Sequence, residues 1–516
     1  MKKALLIFSL LFNVCLFSKA QFKQIAASPE FNEPYSGSSK FLLLKNGNLV
    51  FADVGFRDSI RIRVYNAAHQ EIAVISNAMR SPVKRTYLGL RAAFEIDSNV
   101  ILFIIAEEEK AEVFYRVIVD PNSGKVKKEE KILGLKSLRK DESYALWRGN
   151  WSISKGVDND SYAIAYCNNF RSDKIKKIEV VLFDKEHFEI GRAYYETAEK
   201  EFEAMTFRGI AVADAEKTGL LFTGSPWKDG GVKVFLAIMK KGSSNLSITE
   251  LNLSEDKIPA DPKLYYNQYS KKFIVAIVCG GKKANKYLLF LDPETGKTEK
   301  TISYDFSDAF YEKSKDIYGK KYVFYGQPIN FLAEKNGSFS VVYEADGDLT
   351  TMGYSGLSSH QFASDIIIAD FDKNSKLLSN YMVPRKVFLN PSSSMNYGGG
   401  FGNNYTDFAY IKNNGNAYLF LNDFRENIER LQKNKDPKQV VVVHDCDAFY
   451  FPLTGNEPMP PRKYLYGETD EKEGHIQSPF GVFAYDKEND IFITLRLKRD
   501  EKKRTKTVNV VWLKPQ

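Results

Sequence analysis

The residue types best suited to chemistry in this 516-residue chain are its four tryptophans, its five histidines and one crowded His-Asp-Cys-Asp run. An aromatic ring in a polar, glycine-rich loop can stack on a sugar ring or a peptide side chain. Trp227 sits in such a loop, Ser225-Pro226-Trp227-Lys228-Asp229-Gly230-Gly231, and Trp147 and Trp151 frame the segment Trp-Arg-Gly-Asn-Trp. Tyr397, Phe401 and Tyr405 lie in or beside a stretch rich in Gly, Ser and Asn from Asn390 to Asn404. Long loops on a rigid scaffold often carry recognition. These six aromatics are the candidate ligand-binding residues. The competing reading of Trp227 is a ring that packs its own loop down. Trp512 belongs to an alternating strand and reads as core.

Metal and catalytic motifs fail on spacing. In His444-Asp445-Cys446-Asp447, successive residues of an extended chain point to opposite faces, so neighbours converge poorly on one ion. Asp370, Asp372 and Asn374 imitate the start of a calcium loop, but Ser375 and Tyr381 stand where a glycine and a carboxylate are needed. Gly296-Lys297-Thr298 resembles the end of a phosphate loop, yet Leu291 replaces its first glycine. The chain holds no His-Glu-x-x-His, Cys-x-x-Cys or Gly-x-Ser-x-Gly. Neither metal nor cofactor is expected. A glycosidase needs only two well-separated carboxylates, and 65 acids give sequence no way to choose them.

The elements that must position any such site form a repeat. Eight units each begin with a turn: Asn46-Gly47, Ser98-Asn99, Asn159-Asp160, Thr218-Gly219, Ser270-Lys271, Asn336-Gly337, Asn414-Gly415 and Asn489-Asp490. Asn-Gly between apolar strands signals a hairpin, because both central residues of a type I′ turn take φ > 0. Apolar strands follow, such as Val100–Ala106, Phe273–Cys279 and Ile491–Leu497, and then a second strand. A second turn recurs as Asp120-Pro121-Asn122-Ser123-Gly124 and Asp292-Pro293-Glu294-Thr295-Gly296, with Asp184, Asp372 and Asp445 at matching places. Asp bonds its own backbone and Pro presets φ, so these are turns with a mechanism. Four strands per unit predict an all-β fold, a β-propeller of four-stranded antiparallel blades, seven or eight in number with eight preferred. The eighth unit has three strands, and Phe22–Ala27 is expected to supply the fourth and close the ring. Phe424–Lys433 and the stretch around Tyr195–Met205 are the best helix candidates, each a turn or two within a loop.

The chain opens with Met1-Lys2-Lys3, an apolar run to about Phe17, and Ser18-Lys19-Ala20. That pattern is a secretory signal peptide over residues 1–20, leaving residues 21–516 as one propeller domain. The run is short of the ~20 apolar residues a membrane helix needs, so no stable membrane insertion is expected. Export to the periplasm, the outer surface or the medium follows. Losing residues 1–20 removes three lysines and no acids and lowers the net charge from +8 to +5. Acids and bases interleave, which describes a solvated surface and not a nucleic-acid stripe. Three cysteines then remain, Cys167, Cys279 and Cys446, so at most one disulfide can form.

Between Gln327 and Gly467 stand Asn336-Gly337-Ser338-Phe339, Ser364-Asp365-Ile366-Ile367-Ile368, Ala417-Tyr418-Leu419-Phe420-Leu421-Asn422-Asp423 and Lys463-Tyr464-Leu465-Tyr466-Gly467. This stretch resembles uncharacterised exported bacterial β-propeller-like proteins. The resemblance covers about a third of the chain, implies the fold, and carries over no activity or site residue. The functional expectation is a non-enzymatic exported propeller that binds a protein, peptide or glycan through its loop face. A carbohydrate-active or other hydrolytic enzyme and a cell-envelope assembly component are the alternatives.

Overall fold

The computed structural model describes residues 22–34, 38–55, 59–79, 85–108, 111–134, 151–168, 174–227, 231–251, 259–279, 284–319, 324, 326–353, 356–389, 406–441, 443–455, 457–468, 474–500 and 505–516. Alternating, β-branched and aromatic segments pair with their near neighbours in sequence, giving eight antiparallel sheets. Blades 1 to 7 begin at the strands Ser38–Leu43, Arg85–Ile96, Trp151–Lys155, Phe202–Asp214, Pro259–Asn267, Gln327–Ala333 and Phe408–Asn413, and blade 8 at Phe483–Asp486. Each blade has four strands, in sequence order in blades 1 to 7, and blades 6 and 8 carry a short fifth. The first strands of blades 8, 1 and 2, and those of blades 3 to 6, lie against one another, which places them nearest the axis. The protein is an eight-bladed β-propeller.

Each pair of neighbouring blades shares a buried apolar cluster. Val54 and Ile62 meet Leu88 and Leu102 between blades 1 and 2, and Phe103 meets Tyr162 and Val181 between blades 2 and 3. The set ends with Phe41 and Tyr65 against Ile493 and Trp512 between blades 8 and 1. Fully burying one such side chain is worth ~1.5–3 kcal/mol. Trp512 is core as its alternating strand predicts, edge-on to Tyr65 and stacked on His69.

The ring closes as the sequence suggests. Phe22–Ala27 pairs antiparallel with the last strand, Thr505–Pro515, in the register Phe22↔Pro515 to Ala27↔Val511. Phe22 inserts its ring among Tyr418, Phe420 and Tyr450 of blade 7, with centroids 5.0–5.2 Å away.

Strands alternate in direction, so the connections between first and second strands and between third and fourth strands emerge on one face, here the turn face. All other connections emerge on the opposite loop face. On the turn face, Asn46 Oδ1 accepts from Asn48 N at 2.9 Å, and Asp120 Oδ1 accepts from the backbone N of Asn122 and Ser123. Asp292 repeats that pattern, and Asp372 Oδ1 accepts from the backbone N of Asn374 and Lys376. The Gly296-Lys297 and Asp372 segments are therefore turns. At the third-to-fourth turn a left-handed residue recurs: His69, Gly124, His187, Gly242, Gly296 and Ser375 have φ from 64° to 78°.

Four details differ from the sequence reading. The first turn of blade 4 is Ala215-Glu216, and Thr218-Gly219 lies within the second strand. Asp445 precedes the third strand of blade 7 in a 3₁₀ turn, Val443–Asp445, and does not follow that strand. Tyr195–Met205 joins two strands and forms no helix. A helix α1, Asp308–Tyr318, joins blades 5 and 6, with Ser307 accepting from Phe310 N and Gly319 left-handed at its end. The second helix, α2 at Glu426–Gln432, falls within its expected segment. Cys167, Cys279 and Cys446 are buried in different blades and form no disulfide.

Candidate functional site

The loop face of blade 7 holds the most elaborate site among the described residues. Its second strand, Asn416–Asp423, and third strand, Asp447–Pro452, are joined by α2, an irregular segment Lys438–Val441 and the 3₁₀ turn. Buried Asn427 ties this insertion together. Its Nδ2 donates to Asp423 Oδ1 at 2.7 Å, and its Oδ1 accepts from Lys438 N at 2.7 Å. Val440 N donates to Lys386 O at 2.8 Å, and Val440 packs with Val387 and Cys446. Glu426 and Glu429 lie in the first turn of α2, where its dipole favours negative charge.

Two buried carboxylates hold two arginines under the insertion. Arg462 Nη1 lies 2.6 Å from Asp423 Oδ2, and both side chains are almost wholly buried. The Arg462 guanidinium covers the Phe451 ring at 5.1 Å, and its Nη2 donates to Pro384 O at 3.1 Å. Burial pushes the Asp423 carboxyl above its usual range, with Arg462 pulling against it. Asp447 bonds Arg425 and accepts from Ile476 N at 3.1 Å. His475 Nδ1 lies 3.1 Å from Asp447 Oδ2. With the proton on Nδ1, that contact leaves Nε2 as an acceptor.

These groups border an open cleft of ≈1390 Å³. Phe424, Ile428, Val441 and Tyr464 supply apolar surface, and Val441 is 62% exposed. Glu426 pairs with Lys438 at 2.9 Å and Glu429 with Lys433 at 3.2 Å. Asp445 and Glu468 also line the cleft and make no ion pair among the described residues. No serine, threonine or cysteine lines it among the described residues, so the Asp447–His475 pair has no evident nucleophile there. No cluster of three metal-ligating side chains occurs among the described residues.

A second polar group lies where blades 6 and 7 meet. Arg385, buried, bonds Glu344 and donates to Thr406 O at 2.8 Å. Asp365 accepts from Arg385 N at 3.1 Å and from the Tyr318 hydroxyl at 2.7 Å. This network fixes α1 to the blade 6–7 junction.

The sequence-expected aromatics are dispersed. Trp151 stacks on Phe114 at 5.1 Å and lies near Tyr166, half-buried between blades 2 and 3. Trp227 ends the second strand of blade 4, 46% exposed on the loop face. Trp147, Tyr397, Phe401 and Tyr405 lie outside the described residues. Of the cleft residues, the sequence singles out Asp447, within a run set aside as a metal site, and His475 only as one of five histidines, while Arg425 and Arg462 carry no motif. Of the dismissed His-Asp-Cys-Asp run, Asp447 meets His475, a residue far along the chain. An arginine just past a strand end, Asp423-Phe424-Arg425, was the available signal.

No family model matches the chain, and no curated protein matches it. Solved structures that align with it include the WD40 domain of SCAP from fission yeast, at 8% identity over 95% of this chain and 98% of that one, TM-score 0.35. The quinohemoprotein alcohol dehydrogenase of Comamonas testosteroni aligns at 7% identity over 95% of this chain and 76% of its own, TM-score 0.39. An endo-arabinase from Bacteroides thetaiotaomicron aligns at 10% identity over 54% of this chain and 99% of its own, TM-score 0.26. Similarities at this level carry no functional argument, and the fold rests on the strand pairing itself.

Proposed function

We propose that this protein is an exported binding propeller that recognises a peptide segment of a protein partner in the blade 7 cleft. The cleft itself carries the reading. Small-molecule pockets occupy roughly 300–1,000 Å³, and this open cleft is larger at ≈1390 Å³. Apolar patches beside charges of both signs suit a polypeptide of mixed composition better than a nucleic acid. The insertion is pinned by Asn427, Asp423 and Arg462. Such pre-organisation lowers the entropic cost of binding.

The test is selection from random peptides roughly twelve residues long, at ~3.3 Å per residue when extended. Counter-selection uses the Val441→Asp variant. Enriched peptides are expected to bind the variant about tenfold more weakly. Enrichment of peptides indifferent to Val441 would move the site elsewhere, and a glycan array that responds where peptides do not would replace the ligand class. Export is checked by N-terminal sequencing of the protein from cells, with Gln21 expected first.

A second reading, hydrolysis, rests on Asp447 and His475, since a carboxylate on Nδ1 is the usual way to orient a basic imidazole. Turnover of a model ester or glycoside that disappears in His475→Gln would favour it.

A further inference from the structure

The inner rim of the cleft carries a single β-bridge at the edge of blade 6. Blade 6 continues past its fourth strand, because Val387–Leu389 pairs antiparallel with Gln361–Ala363 of the third strand. Val387 in turn bridges Val440 in parallel, through the bond from Val440 N to Lys386 O. The pairing thus passes from blade 6 through Val387–Leu389 to Val440 alone and stops at the cleft. Main-chain groups of successive residues in an extended chain point to opposite sides. The Val440 N–H points to Lys386, and the chain bends at Val441. Lys438, Gln439 and Val441 line the cleft and Val440 does not. The backbone groups of Gln439 and Val441 meet no main-chain partner among the described residues.

An unpaired edge is a template for another strand. The charges around it select that strand. Lys438, Arg425 and Arg462 are held by Glu426, Asp447 and Asp423. The lining charges that make no ion pair among the described residues are both acidic, Asp445 and Glu468. Val441 offers exposed apolar surface beside them.

We infer that Lys438–Val441 accepts an extended peptide as an added strand, one whose side chains alternate between basic and apolar. The basic residues face Asp445 and Glu468, and the apolar residues cover Val441, Ile428 and Tyr464. This inference rests on peptide recognition at the same cleft and adds the mode of binding and the sequence class.

The probes are a labelled peptide of about eight residues alternating lysine and valine, and its glutamate–valine counterpart. The full chain is expected to bind the lysine peptide at least about tenfold more tightly than the glutamate peptide. Asp445→Asn with Glu468→Gln should erase that preference. N-methylation of alternate residues of the lysine peptide in one parity should abolish binding, and in the other parity leave it unchanged, because only one set of N–H groups faces the edge. Val441→Pro removes one pairing donor and should weaken binding about tenfold, with a melting temperature within about 2 °C of wild type. N-methylation without a parity effect, or equal binding of both probes, overturns the inference. Peptides selected from the random library that bind at Val441 while neither alternating probe binds would also overturn it, and would leave peptide recognition standing. A chain that binds no peptide at all removes both.

Discussion

The two faces of the ring are built on different principles. On the turn face, several connections carry their own solution: an Asn or Asp side chain caps the next backbone N–H groups, and a left-handed residue completes the bend. On the loop face, the order of the blade 7 insertion comes from distant partners, Asp423 with Arg462 and Asp447 with Arg425 and His475. Local chemistry therefore repeats around the ring and builds a scaffold. Long-range chemistry differs from blade to blade, and at blade 7 it builds a site.

The largest expected effect breaks the loop face alone. Arg462→Met leaves the Asp423 carboxylate buried without its partner and should cost about 3–5 kcal/mol. Urea unfolding gives the magnitude, and hydrogen exchange should show residues 424–441 losing protection while the Asp120–Gly124 turn keeps it. Equal loss on both faces would mean that the two regions fold as one cooperative unit. Next comes the turn face: Gly124→Ala forces a left-handed alanine at φ 69°, with its Cβ 2.9 Å from Ile62 Cγ2. A cost of about 1–3 kcal/mol is expected from denaturation curves, with the cleft still binding peptide.

A smaller effect is pH-dependent. His69 and His187 occupy the left-handed turn position in blades 1 and 3. Burial pulls both imidazoles below their usual value; Asp486 opposes this at His69, and Arg116 adds to it at His187. The unfolded chain then binds more protons than the folded one just below the ordinary histidine value. Stability from these groups is full above about pH 6.5 and declines as pH falls below it. The His69→Asn/His187→Asn double variant should show a flatter melting temperature between about pH 7 and 5, since Asn tolerates the left-handed region. An unchanged slope would place the acid sensitivity on the loop face. The smallest effect is at Trp227, whose truncation to Ala should shift stability by no more than about 0.5 kcal/mol because the ring is half-exposed. A loss of several kcal/mol would identify it as packing.

The same division explains what could be read from the sequence. Asn-Gly and Asp-Pro turns signal themselves because the residues that need the geometry also supply it. Gly219 misleads because it serves packing: a Cβ there would meet the Phe273 ring at 2.8 Å. Helix α1 carried a legible start at Ser307, a stop at Gly319 and an apolar stripe through Phe310 and Ile317, obscured by the surrounding strand pattern. The cleft was illegible for a different reason. Nothing local to Asp423, Asp447 or His475 names its partner, because each pairing depends on how the blade 7 strands return. Trp227 was visible as a loop aromatic, and its exposure agrees with that placement.

The seam at Phe22–Ala27 has a mechanical consequence. Residues Phe22 and Pro515 face each other across an antiparallel pair. Tension applied to the two ends of the chain would load those hydrogen bonds one at a time, as in a zipper, and would not share the load along the strand. Under force the ring should open there first and shed blade 8 before any inner blade yields, however stable the molecule is to heat.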